Sequence, residues 1–209
     1  MHVETFSLGP IETNSYLATQ GSQAVAVDAG GDPAPMLRYL SSHSLTLTHI
    51  LLTHLHFDHT YGAKALQTAT GAAILAGAKD AYLLETELGQ GGFMDFPKVE
   101  SFEYTPQNEG EITLLGQPCK ALFTPGHSPG SLSYYFPQAG VIFTGDLLFY
   151  GSVGRTDFPG GSHDILMRSV KEKIFTLPPE TIIYPGHGPE TSVGREQLHN
   201  PYFSDFSRA

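Results

Sequence analysis

The sequence predicts an α/β fold, and two β-sheets face to face with helices outside fit its pattern. Two observations lead there. Short apolar runs of strand type recur along all 209 residues, interrupted by segments with helical spacing. The first strands follow one another through turn residues, as hairpins do, whereas later ones alternate with helices. That mixed order departs from the strict alternation of a doubly wound parallel sheet. One domain over residues 1–209 is expected at this length, because domains run to roughly 100–200 residues.

Strands at His2–Ser7, Ser15–Thr19 and Ala24–Val27 lead to a turn at Asp28-Ala29-Gly30-Gly31. Met36, Leu37 and Leu40 give Pro33–His43 a helical spacing, with Asp32 as its N-cap. Thr48–Thr53 (THILLT) is a short apolar run of buried-strand type. Tyr61–Thr70 is Ala-rich and reads as a helix stopped by Gly71. Ala73–Ala76 is a strand and Lys79–Leu88 a helix. Gly89–Asn108 is irregular, and loops of that length are commonly functional. Within it Gly89, Gly91 and Gly92 precede Phe93, Met94 and Phe96, a composition suited either to a lid over an apolar substrate or to a plain connector. Strands resume at Glu111–Leu115, Cys119–Thr124, Leu132–Phe136 and Val141–Thr144. A turn-rich stretch, Tyr150–Ser162, leads into a helix at His163–Phe175 with Ser162 as N-cap. Thr181–Tyr184 is the last strand and Thr191–His199 a terminal helix.

Hydrophobic residues make up 40% of the chain and charged ones 15%, which is globular rather than disordered. Lys and Arg number 11 against 21 Asp and Glu, a net charge of −10. Binding to phosphates needs clustered cations, so nucleic acid and anionic membrane surfaces are excluded as expected partners. The single Cys119 forms no internal disulfide and fits a reducing compartment. No run approaches the ~20 apolar residues of a membrane span, and the opening MHVETFSLGP has no basic region followed by an apolar one. The expectation is a cytoplasmic protein acting on a small molecule, its oligomeric state open.

Ten histidines carry the functional argument. After the THILLT strand comes Thr53-His54-Leu55-His56-Phe57-Asp58-His59, which places His54, His56, Asp58 and His59 within six residues. With ten His and nine Asp in the chain, that pattern arises by chance on the order of one time in a thousand. In extended chain His54 and His56 point the same way and can pinch one ion, because zinc takes imidazole nitrogen and carboxylate oxygen at about 2.0–2.2 Å. Asp58 and His59 follow where the chain turns, so they can face a neighbouring ion. Three later segments share one format, a strand and then a glycine-containing turn bearing a ligand type: Phe123–His127, Ile142–Asp146 and Ile183–His187. They add His127, Asp146 and His187 to the candidates.

Thr53–His59, the PGH at 125–127, the TGD at 144–146 and the PGHG at 185–188 together resemble the metallo-β-lactamase superfamily, over about residues 13–190. The resemblance implies an αββα four-layer sandwich of two mixed β-sheets, built as two pseudo-equivalent halves. It implies two divalent metal ions, zinc first, with iron or manganese as alternatives. His54, His56 and His127 would hold one ion, Asp58, His59 and His187 the other, and Asp146 would bridge them.

Gly154-Arg155-Thr156-Asp157-Phe158 and the tail His199-Asn200-Pro201-Tyr202 resemble short hydroxyacylglutathione-hydrolase-like proteins, the glyoxalase II relatives. The implied activity is hydrolysis of a thioester such as S-D-lactoylglutathione by a hydroxide bridging the metals, with Asp58 as the catalytic carboxylate. With 22 residues after His187, the helical glutathione-binding domain of full-length glyoxalase II is expected to be absent. Arg155 and Phe158 are the candidate substrate residues, although Arg155 fits an ion pair with Asp157 equally well. Two alternatives share these residues. One is a mononuclear-iron persulfide dioxygenase using His54, His127 and Asp146, and the other is a hydrolase of another ester or a lactone. Asp28, at the end of an early strand, is a candidate partner for the outer nitrogen of a ligand imidazole.

Overall fold

The computed structural model describes residues 1–203. The first half forms one mixed six-stranded sheet: β1 (His2–Leu8), β2 (Thr13–Gln20), β3 (Gln23–Val27), β4 (Thr46–Leu51), β5 (Ala73–Gly77) and β6 (Thr105–Gln107). The first three strands pair antiparallel and the rest run parallel. The second sheet begins with β7 (Gly110–Leu114), β8 (Gln117–Phe123), β9 (Leu132–Phe136) and β10 (Val141–Gly145). A two-stranded hairpin, β11 (Leu148–Phe149) and β12 (Ser152–Val153), stands apart from it. Then β13 (Ile182–Pro185) joins β10 in parallel and β14 (Thr191–Ser192) forms the edge.

Alternation along the strands builds three apolar layers. One face of each sheet meets the other: Ala18, Val25 and Val27 pack with Tyr134, Phe136 and Phe143. Their chain neighbours turn outward. Leu17, Ala24 and Ala26 cover helices α1 (Ala34–Ser42) through Met36 and Leu40, whereas Tyr135 and Ile142 cover the helices of the second half through Leu166 and Ile174. The result is the four-layer αββα arrangement. Cys119 lies in the central layer, where burial pushes its thiol up to about 12, so it is an unreactive apolar side chain. Among the described residues no helix is long and apolar enough to cross a membrane.

Several elements differ from their sequence expectation for local reasons. The expected helix from Tyr61 is two pieces, α2 (Phe57–Thr60) and α3 (Ala63–Thr70). They break at Gly62, whose amide donates to the Ala29 carbonyl at 2.7 Å and where a Cβ would lie 2.1 Å from the Gly31 oxygen. The expected helix Lys79–Leu88 is a 3₁₀ segment, Ala78–Glu85, followed by the one-turn α4 (Glu87–Gln90). Asp80, on the 3₁₀ segment, is buried and accepts from Ser128 and Gly130. The helix from His163 is regular only over α5 (His163–Ser169) and continues as a π-turn, where the Phe175 amide reaches the Val170 carbonyl at 2.9 Å. Residues Thr191 and Ser192 belong to β14, and α6 (Val193–His199) starts behind them with the Ser192 hydroxyl accepting from Arg195 N.

Candidate metal centre

Each segment that carries a candidate ligand leaves the C-terminal end of a strand. Thr53–His59 follows β4, His127 follows β8, Asp146 follows β10 and His187 follows β13. The fold thereby brings all seven candidate residues into one place. Ligand-type atoms of His54, His56 and His127 lie within 4.8 Å of one another, as do those of Asp58, His59 and His187. A third group, His54, His59 and Asp146, joins the two trios. His56 Nδ1 is 2.9 Å from His127 Nε2, and His187 Nε2 is 3.3 Å from Asp58 Oδ2.

Hydrogen bonds on the far side of the rings fix which nitrogen faces inward. His127 Nδ1 is 2.8 Å from the Arg155 carbonyl, which can only accept, so Nε2 is left free for the centre. His59 Nδ1 is 2.8 Å from Asp28 Oδ2, leaving its Nε2 inward in the same way. Asp28 also accepts from the Thr53 amide and hydroxyl, both at 2.8 Å. It does so from left-handed backbone (φ +57°) directly after β3, a conformation Asp tolerates better than most residues. Thr13 Oγ1 donates to Asp58 Oδ2 at 3.1 Å.

The electrostatics are those of a cation site. Burial and the neighbouring imidazoles hold His54 well below its ordinary pKa, and burial followed by His127 lowers His56 to about 3. Both are therefore neutral, with lone pairs available. Burial opposes charge on His59 as well, but Asp58, Asp146 and Asp28 crowd it and drive its pKa well above the ordinary value. Burial likewise opposes ionisation of Asp146, yet His59, His127 and His187 outweigh it and keep the carboxylate ionised. His54 Nε2, His59 Nε2 and Asp146 Oδ1 are buried without any hydrogen-bond partner. Unpaired buried polar atoms are costly. Three of them converging among ionised carboxylates fit a bound divalent cation, which would satisfy them together.

Glycine at 186 makes the convergence possible, since a Cβ there would sit 2.1 Å from Asp146 Oδ1. The centre opens into a cavity of about 710 Å³. Phe57, Phe149 and Phe158 line it, whereas Tyr150 stands half-exposed with the Arg195 guanidinium 3.4 Å from its ring. Arg155 reaches the cavity too, but both its Nε and NH2 donate to Asp157 at 2.7 Å and its guanidinium lies 3.9 Å over the Phe158 ring. The local ion pair is thus the arrangement the structure shows for Arg155.

A profile of the metallo-beta-lactamase superfamily matches residues 8–187. The chain belongs to that superfamily. GloC of Haemophilus influenzae, a hydroxyacylglutathione hydrolase, is 33% identical over 99% of this chain and all of its own length. The crystal structure of the B3 metallo-beta-lactamase BLEG-1 superposes with a TM-score of 0.91 at 37% identity, covering 98% of this chain and 100% of that one. TTHA1623, solved in a di-iron-bound form, gives a TM-score of 0.85 at 37% identity over 95% of this chain and 99% of its own. GloC is named as a hydrolase and BLEG-1 as a beta-lactamase, and this chain matches each over nearly its whole length.

Sequence reasoning missed the groups that hold the centre from behind. Asp80 is fully buried; it accepts from Ser128 Oγ at 2.6 Å, Gly130 N at 2.5 Å and Leu55 N at 3.3 Å. Asn14 and Tyr16 clamp the last ligand turn, donating to the Pro185 carbonyl at 3.1 and 2.6 Å. The one signal for these two was the polar run Thr13-Asn14-Ser15-Tyr16 that opens β2.

Proposed function

We propose that the protein is a metal-dependent hydrolase that cleaves a thioester, with S-D-lactoylglutathione as the reference substrate. The observation that carries the reading is the meeting of two ligand trios around His54 Nε2, His59 Nε2 and Asp146 Oδ1, buried without a hydrogen-bond partner, the last two 3.3 Å apart. His54, His56 and His127 would hold one ion, Asp58, His59 and His187 a second, and Asp146 would offer an oxygen to each. Imidazole and carboxylate donors suit zinc, iron or manganese, and the di-iron form of TTHA1623 supports iron as a serious candidate. When bound, such ions supply Lewis acidity and bring the pKa of water toward neutrality.

The residues of the chain supply the rest. Thr13 orients Asp58, the carboxylate placed to take the proton that water gives up. The reaction forms a C–O bond from water and breaks C–S, yielding a carboxylate and a thiol. A thiolate with a parent pKa of about 8.5 departs without prior protonation. An amide nitrogen would need a proton donor, and outside the proposed metal ligands the described cavity lining holds no carboxyl or imidazole group, which favours thioesters over lactams. The name of GloC supports the same choice.

The test uses purified protein reconstituted with zinc, iron or manganese and assayed for thiol release from S-D-lactoylglutathione. Hydrolysis without oxygen consumption is expected, as is loss of most of that rate in His187→Ala. Oxygen uptake with glutathione persulfide on a single tightly held iron, insensitive to His187→Ala, would overturn the reading in favour of a mononuclear oxygenase.

A further inference from the structure

The wall of the cavity is apolar to a degree that a charged tripeptide thioester does not require. Among the described lining residues nine are hydrophobic, and Arg155 is the one Lys or Arg. Asp157 engages that cation through both carboxylate oxygens. An anionic substrate group would have to share that cation with Asp157 and would lie near its charge. The chain as a whole carries −10, which also disfavours anionic substrates.

The apolar wall is assembled on purpose-built backbone. Phe93 and Phe96 stack around Phe57, with ring centroids 5.3 and 5.1 Å away. Between them Met94 and Asp95 both adopt left-handed backbone, at φ +47° and +66°, directly after Gly91 and Gly92 at +64° and +77°. A non-glycine pair in that region is unfavourable and persists where the surroundings fix it. Met94 lines the cavity with 82% of its surface exposed, and Ile11, also in the lining, is 41% exposed. Large apolar side chains left in water around a cleft mark a surface that a ligand covers.

We propose that the part of the substrate flanking the scissile carbonyl is a neutral apolar group, an alkyl or aryl acyl chain, held by Phe57, Phe93, Met94, Phe96 and Ile11. This rests on the hydrolase reading above and narrows its substrate class. Glutathione's carboxylates gain no cation here, so a lactoylglutathione thioester is a permissive substrate rather than the best one.

The metal-loaded protein is assayed with acetyl, butyryl and hexanoyl thioesters of N-acetylcysteamine, and with the lactoyl thioesters of N-acetylcysteamine and of glutathione. Specificity, kcat/KM, should rise about tenfold over the four methylenes from acetyl to hexanoyl, as expected for a half-open apolar cup. The two lactoyl thioesters should differ less than about threefold, on the same burial argument. Phe93→Ser/Phe96→Ser and, separately, Met94→Ser should lower the hexanoyl-to-acetyl ratio. Met94 is exposed, so its replacement does not put folding at risk. The neutral fluorophore N-phenyl-1-naphthylamine gives a second readout, free of tryptophan background because the chain has none. Its binding should be displaced by S-hexyl-N-acetylcysteamine, not by the S-ethyl analogue, and weakened by Met94→Ser. Equal specificity for acetyl and hexanoyl, or a tenfold advantage for the glutathione thioester, would overturn the apolar subsite and leave the hydrolase standing. If no thioester is cleaved, the hydrolase reading fails and the fluorophore decides the subsite: selective displacement supports it, and absence of binding overturns it.

Discussion

The His59 imidazole and the Asp28 carboxylate meet at 2.8 Å, and neither is exposed by more than 2%. Asp28 is the hydrogen-bond partner of the outer nitrogen of that ring, and the same carboxylate grips Thr53 at the start of the ligand segment. It sets the tautomer of one proposed ligand and the position of the loop that carries three others.

Asp28→Asn should therefore weaken metal binding by about 10–100-fold, the usual effect of losing such an outer partner. The amide can accept through only one oxygen, so either His59 or Thr53 loses its bond. Chelator competition on the purified variant measures this. Unchanged affinity at both sites would remove Asp28 from the centre.

Asp80 acts at longer range. Its carboxylate joins Leu55, between His54 and His56, to Ser128 and Gly130, beside His127. Both oxygens are needed as acceptors. Asp80→Asn turns one of them into a donor facing donors, at a cost of about 1–3 kcal/mol. That corresponds to a fall of roughly 2–12 °C in Tm for a chain of this size. The trio His54, His56 and His127 should loosen as well, with weaker binding of one metal equivalent. A drop in Tm with both equivalents held as tightly as before would show that Asp80 supports the scaffold alone.

The contrast between these two residues explains what could be read in advance. His54, His56, Asp58 and His59 lie in one short segment, and the other three candidates repeat a strand-then-glycine format, so local spacing reveals them. Asp28 was legible because it ends a strand. Asp80 was not: it sits 21 residues from the nearest candidate ligand in sequence, His59, on a segment whose pattern reads as a helix. Its role depends on tertiary closeness to the turn at Ser128. The same holds for Glu196, which has the composition of an exposed helix residue and is fully buried. The face-to-face sheets fit the mixed order of strands and helices in the sequence, whereas the breaks at Gly62 and Val170 depend on what each backbone packs against.

Glu196 ties the terminal helix to the cavity wall. Its carboxylate accepts from Thr191 Oγ1 and Arg195 at 2.6 Å, from the Gly151 amide at 2.9 Å and from Asn200 at 2.8 Å; Asn200 also donates to the Ser152 carbonyl. Burial opposes its ionisation, but these donors outweigh that and lower its pKa below the usual carboxylate value. A depressed folded-state pKa means that the stabilisation is present above the unfolded value, about 4.3, and is lost as pH falls through the folded one. Glu196→Gln should thus be less stable than the parent at pH 7, and the gap should narrow below about pH 4. Urea denaturation of both proteins across that range measures it. A gap independent of pH would mean that the carboxylate's charge contributes nothing.

Asp146 faces both trios at once. Oδ1 is 3.3 Å from His59 Nε2, while Oδ2 is 3.6 Å from both His127 Nε2 and His187 Nε2. A carboxylate so placed can give one oxygen to each of two ions, which no imidazole can do. Asp146→Ala should then lower the content of both ions, whereas His56→Ala should lower that of one. The loss in kcat/KM for Asp146→Ala should be at least about a hundredfold, corresponding to several kcal/mol of charge stabilisation, and larger than for His56→Ala. Elemental analysis without chelator separates the cases: about two equivalents in the parent, clearly less than one in Asp146→Ala and about one in His56→Ala. If Asp146→Ala retains both ions while His56→Ala loses them, the bridge assignment fails. The convergence at Asp146 would then be a buried ion pair with His59, which is the other arrangement able to keep that carboxylate ionised.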